Sequence, residues 1–180
     1  MGWTPFAFLV AFSLVEFFLL RSFALTKEKT GLKSAAIALV FLWLIAAASY
    51  YYQLRIPDAA YVFIILSLFT DSYFGYYQRR YYKSKKYDRV QHVLGSFSFA
   101  IFFYFLFSNI LNYGGSRTFR AFFVLLLGVF YGTVYEIFEF ISDRKNREKM
   151  QRGLKDTDMD LISDVIGSLS ASVLSYFIYL

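Results

Sequence analysis

His92 is the one histidine in the chain, and it follows Asp88 by four residues. Glu136 and Glu139 are three apart, and Asp160 and Asp164 are four apart. At these spacings both members of a pair leave a helix on the same face. Carboxylate pairs and an imidazole projecting inward from neighbouring helices are the donor set of a metal site in a helical bundle. Oxygen-rich ligands with a single His suit Mg²⁺ or Mn²⁺, and a site that uses His92 more centrally suits Zn²⁺ or iron.

Carboxylates this close cannot all be ionised in a low dielectric without a counter-charge. Three sources remain open. Arg89 and Arg152 could reach in and pair with the acids, giving a salt-bridge network with only a structural role. A divalent cation could sit among them, in which case His92, Asp88, Glu136, Glu139, Asp160 and Asp164 are its expected ligands. A carrier could bind protons or sodium there instead. For His92 the bland alternative is a side chain that snorkels to the interface, weighed against a ligand or acid–base role in which Asp88 orients its ring.

These residues are set in a chain of 180 residues that is 58% hydrophobic and 23% aromatic, with 18% charged residues, no cysteine and a formal net charge of +6. A soluble domain of this size could not hide that much apolar surface, and disorder is excluded for the same reason. Six segments approach the ~20 apolar residues a membrane helix needs: about Trp3 to Leu20, Ser34 to Tyr52, Asp58 to Tyr77, Val90 to Leu111, Ala121 to Ile141, and Met159 to Leu180. Runs such as Ile37 to Ala48 do not alternate as barrel strands would. The expected fold is all-α, one multi-pass bundle of six transmembrane helices over residues 1–180, with short turns at Arg55–Asp58 and Asn112–Ser116. The absence of cysteine removes thiol nucleophiles, thiolate metal sites and disulfides.

The basic residues fall in loops, not along a groove, which argues against a nucleic-acid partner. Sixteen of the nineteen lie in the first, third and fifth loops, and only Arg55, Arg117 and Arg120 in the others. By the positive-inside bias both termini face outward and the chain resides in the cell membrane. With ~1.5 Å of rise per residue, Glu16 and Asp71 then come about thirteen positions in from the outside and Glu136 about sixteen, while His92 and Asp164 come within two turns of the inside. All reach the inner half of the bilayer, where ionisable groups face a cavity, a partner or an ion. Gly128 and Gly132, with Gly167, Ser168, Ala171 and Ser172, would let the fifth and sixth helices approach closely beside their acids. The segment Gly153 to Asp160 would cap the last helix through Asp156 or Thr157, and it lacks the EF-hand pattern of glycine and terminal glutamate.

Tyr87-Asp88-Arg89-Val90-Gln91-His92, Tyr135-Glu136-Ile137-Phe138-Glu139, and Asp156-Thr157-x-x-Asp160-Leu161 before Ile166-Gly167 together resemble an uncharacterised bacterial membrane family of the YjdF type. More loosely they resemble VanZ-like proteins. The resemblance spans about residues 87–170 and carries no established activity; the VanZ-like relatives imply a link to glycopeptide resistance and the cell envelope. By matching position it nominates Asp88, Arg89, His92, Glu136, Glu139, Asp156 and Asp160 as the functional set, while Asp164 departs from the YjdF pattern.

The expectation is a metal-dependent membrane enzyme acting on a lipid or lipid-linked phosphate at the cytoplasmic leaflet. Arg89 and Arg152 would meet the phosphate, His92 or Glu139 would move the proton, and Glu16, Asp71 and Asp156 would support the site. Membrane lipid is the expected partner, and self-association is left open. A cation- or proton-coupled carrier and a non-catalytic envelope scaffold or resistance protein are the competing classes.

Overall fold

The computed structural model describes residues 2–111, 115–144 and 149–177. The described residues are almost entirely helical: α1 (Trp3–Thr26), α2 (Lys29–Tyr51), α3 (Asp58–Phe69) continued by a π-helical stretch (Thr70–Tyr77), a single turn α4 (Arg80–Lys83), α5 (Lys85–Ile110), α6 (Arg117–Asp143) and α7 (Leu154–Phe177). Five are long and apolar enough to cross a membrane, counting α3 with its π-helical continuation as one. The helix expected as a sixth span, α7, is 24 residues long but carries four aspartates in its first eleven residues. Part of the second expected short turn, Asn112 to Gly114, and the end of the expected last span, Ile178 to Leu180, lie outside the described residues.

The chain divides into two compact units, Met1–Arg80 and Tyr81–Leu180. In the first, α1 packs on α2, on α3 and on the π-helical stretch. Lys27 makes the α1–α2 turn in the left-handed region at φ 59°, its N–H closing on the Phe23 carbonyl. Gly31 permits the close approach of α2 to the stretch, since a Cβ there would lie 2.9 Å from that of Tyr76. Trp43 of α2 donates to the Ser13 hydroxyl of α1 at 3.0 Å.

In the second unit α5, α6 and α7 pack mutually, each against both others. Ser84 caps α5 by accepting from the Tyr87 N–H at 3.3 Å, and Ser116 caps α6 by accepting from the Phe119 N–H at 3.2 Å. Gly153, at φ +100°, adopts the backbone that admits the chain into α7. The amphipathicity of α6 is the reverse of a soluble helix. Its buried stripe runs Arg120, Val124, Leu127, Gly128, Gly132, Glu136, Glu139, Asp143, apolar only at Val124 and Leu127 apart from its glycines, while Phe122, Leu126, Phe130, Ile137 and Phe138 are exposed. With helical period, the polar and small residues face inward and the large apolar ones face out. That is a helix whose solvent is lipid.

Candidate metal centre

Three helix ends build the site. The chain runs along α5, back along α6 and again along α7, so the start of α5, the end of α6 and the start of α7 fall at one end of the unit. Asp88 and His92 occupy the first two turns of α5, Glu136 and Glu139 the last two of α6, and Asp156, Asp160 and Asp164 the first three of α7. The acids of α5 and α7 lie near positive helix termini, which favours them there.

Small residues set the spacing. A Cβ on Gly132 would overlap the Asp164 carboxylate and one on Gly128 would overlap Ser168. A Cβ on Gly167 would fall 3.0 Å from the Val93 Cα, on top of the α5 backbone. The expected use of these glycines, pressing α6 and α7 together beside their acids, is realised, and α5 is held in the same way.

His92 is fixed by its Nδ1, which lies 3.2 Å from each oxygen of Asp164. Ser96 donates to the same carboxylate, and the Tyr135 ring stands edge-on to the imidazole at 5.3 Å. Asp164, not Asp88, is therefore the carboxylate that orients the ring. With Nδ1–H given to Asp164, Nε2 presents a lone pair to the centre, as metal-binding histidines do. Nε2 is 3.6 Å from the Glu136 Oε1, too long for a hydrogen bond. Two ligands at ~2.1 Å from one tetrahedral ion would be about 3.4 Å apart.

The remaining donors are aimed at the same place without partners. Asp88 Oδ1, His92 Nε2, Glu136 Oε1, Glu139 Oε1 and Asp160 Oδ1 are all buried and make no hydrogen bond, in residues no more than 5% exposed. Unmade hydrogen bonds of buried charged groups cost on the order of several kcal/mol, so these donors call for neutralisation by a bound cation or by protons. Three overlapping triads place one ligand atom from each residue within 4.8 Å of one another: Asp88, His92 and Glu139; His92, Glu136 and Asp160; Asp88, Asp156 and Asp160. The donor chemistry fits a divalent metal ion.

The arginines do not supply the counter-charge by contact. Arg152 donates through Nη2 to the Tyr81 carbonyl and through its backbone N–H to Asp156 Oδ2 at 3.1 Å. Arg89 keeps a buried Nε without a partner. Besides His92, the basic side chain among the described residues in contact with a site acid is Lys85, 3.0 Å from Asp156 Oδ1.

Residues outside the expected set complete the shell. Gln151 donates from Nε2 to Glu136 Oε2 at 2.7 Å and to the Glu136 carbonyl at 3.0 Å. Asp143 holds that glutamine in place by accepting the Met150 and Gln151 N–H groups at 3.0 and 2.9 Å. Asp143 extends the inward stripe of Glu136 and Glu139 by one turn, a spacing visible in the sequence. Gln151 and Ser96 carry no such signal.

Glu16 and Asp71, expected as supporting residues, belong to the first unit. There Glu16 is fully buried with neither oxygen hydrogen-bonded. Its polar neighbours are Ser72 and Asp71 of the π-helical stretch, and Asp71 accepts from Ser34 at 2.7 Å.

A family model described as "Predicted membrane protein (DUF2238)" matches residues 6–179. An uncharacterized protein of Thermotoga maritima is 30% identical over 145 residues, which is 78% of this chain and 76% of the relative. No solved structure matches. An uncharacterised membrane family was the expectation, and the match reaches the first three helices, to which no motif had been tied. The match supports an uncharacterised membrane family and not the YjdF-type or VanZ-like name.

Proposed function

Since the chain belongs to the DUF2238 family of predicted membrane proteins, we propose that it is a multi-pass membrane enzyme with a divalent cation in its second unit, acting on a lipid or lipid-linked phosphate. The observation that carries this reading is the convergence of five buried, unpartnered donor atoms from three helices. The cation would polarise the phosphoryl group and activate a water. His92, held by Asp164, would serve the ion, and Glu139, if left off it, would accept the proton. Arg89 and Arg152, at the same helix ends, are the groups to meet the phosphate. The basic-loop bias supports a cytoplasmic position for this end, and so for the substrate, with α7 as a sixth span and both termini outside.

The test is phosphate release from an anionic lipid mixture by the purified protein in vesicles. Turnover abolished both by chelation and by Glu136→Gln supports the enzyme. Protein that contains no metal and releases no phosphate sinks it. A second reading, a cation- or proton-coupled carrier, is favoured by Glu16, whose buried and unpartnered carboxylate lies outside the metal-centre unit's own donor set. Ion-driven flux without lipid turnover would select it.

A further inference from the structure

The three donor triads are not alternatives for one ion. Two of them contain His92, and because Asp164 occupies Nδ1 both must use the same atom, Nε2. They are two aspects of one nitrogen-bearing position, with Glu136 and Glu139 around it. The third triad, Asp88, Asp156 and Asp160, holds no histidine and offers oxygen alone. Asp88 and Asp160 each belong to this triad and to one that contains His92. A carboxylate has two oxygens and can serve a cation with each.

From this overlap we infer that the centre binds two divalent cations bridged by Asp88 and Asp160, one held by His92 and Glu136, the other by Asp156. The inference rests on the metal-centre reading above and adds its stoichiometry and its substrate consequence. Both bridging residues retain a buried oxygen, Oδ1, with no hydrogen-bond partner. Asp156 is drawn to Lys85 and the Arg152 N–H, yet each of its oxygens has a second lone pair to give.

Charge makes the same demand. Six carboxylates gather here, Asp88, Glu136, Glu139, Asp156, Asp160 and Asp164, against three basic side chains, Lys85, Arg89 and Arg152. With all of them ionised the pocket is three charges negative. A single divalent ion leaves it anionic, which repels a phosphate; a second makes it cationic. Paired ions ~3.5–4 Å apart are the arrangement that clamps both the attacking and the leaving oxygen of a phosphoryl group. The substrate class that follows is a phosphate ester whose phosphoryl group binds across both ions.

The ligand sets differ in softness, so the two positions have different tastes: the nitrogen-bearing one accepts Zn²⁺ or Mn²⁺, the all-oxygen one Mg²⁺ or Mn²⁺. Mn²⁺ alone is therefore the probe that fills both. The full-length protein in detergent, loaded with Mn²⁺ and freed of excess, should retain two ions per chain and give the electron paramagnetic resonance spectrum of an exchange-coupled pair. His92→Ala should halve the bound Mn²⁺ and leave an uncoupled signal, and Asp160→Asn should abolish coupling. Circular dichroism of each variant separates these losses from failure to fold, and the wild-type count stands without any variant. One ion per chain overturns the two-ion inference and leaves the metal centre standing. No ion overturns both, and two ions without coupling overturn the bridging.

Discussion

Asp164 is the residue whose part changes most between sequence and structure. Its four-residue spacing from Asp160 marked it as a ligand, whereas both its oxygens face His92, with Ser96 donating to one of them. An outer carboxylate fixes the tautomer and basicity of a ligating histidine, and loss of one lowers metal affinity about 10–100-fold. Asp164→Asn should show that loss in a Mn²⁺ or Zn²⁺ titration with little change in thermal stability. An unchanged affinity would leave Asp164 a packing residue. Gln151 acts more weakly: Gln151→Ala removes two hydrogen bonds from Glu136 and should destabilise the fold by about 1–3 kcal/mol without ending metal binding, readable as a shift in thermal unfolding. The carboxylate pairs and His92 were legible because helical spacing projects them together. Gln151 was not, because it lies in a loop, where no period applies.

At the scale of elements, the centre depends on how closely three helices approach. Gly132→Ala would drive a methyl group into the Asp164 carboxylate. Overpacking of this kind costs about 1–3 kcal/mol, and here the displaced atoms are those that hold His92. Gly132→Ala should therefore reduce metal affinity as well as the midpoint of thermal unfolding. Gly95→Ala, whose added carbon would meet the Tyr131 ring edge at 3.2 Å, should spare metal affinity. Equal effects of the two would deny Gly132 its positioning role. Helix existence was readable from the apolar runs, but their starts were not. The helices α5 and α7 begin five residues earlier than the apolar segments, because Ser84 and Gly153 set their entry and polar first turns extend them beyond the hydrophobic stretch. The π-helical stretch left no trace in the sequence: widening eight residues of helix alters hydrogen bonding and not composition.

The chain is readable as a membrane protein from its apolar composition, and many large apolar side chains among the described residues lie exposed. Orientation, expected from loop charge, and the sixth span, expected from apolar length, are proposals that the cysteine-free chain makes simple to test. Gly153→Cys should react with a membrane-impermeant thiol reagent only from the cytoplasmic side, and Gln53→Cys only from outside. The opposite labelling would invert the bundle and put the metal centre at the outer leaflet. The depth argument brought the acids of the second unit together correctly because antiparallel helices must alternate their ends. It took no account of Asp143. The Asp143 carboxylate gathers the Met150 and Gln151 amides, its carbonyl accepts from Lys149, and Arg152 is tied to the Tyr81 carbonyl. A protease specific for lysine and arginine would find the side chains of Lys149 and Arg152 already engaged. Slow cleavage after these two residues, quickened by Asp143→Ala and followed by mass spectrometry, would time the opening of the loop that carries Gln151 to the metal centre.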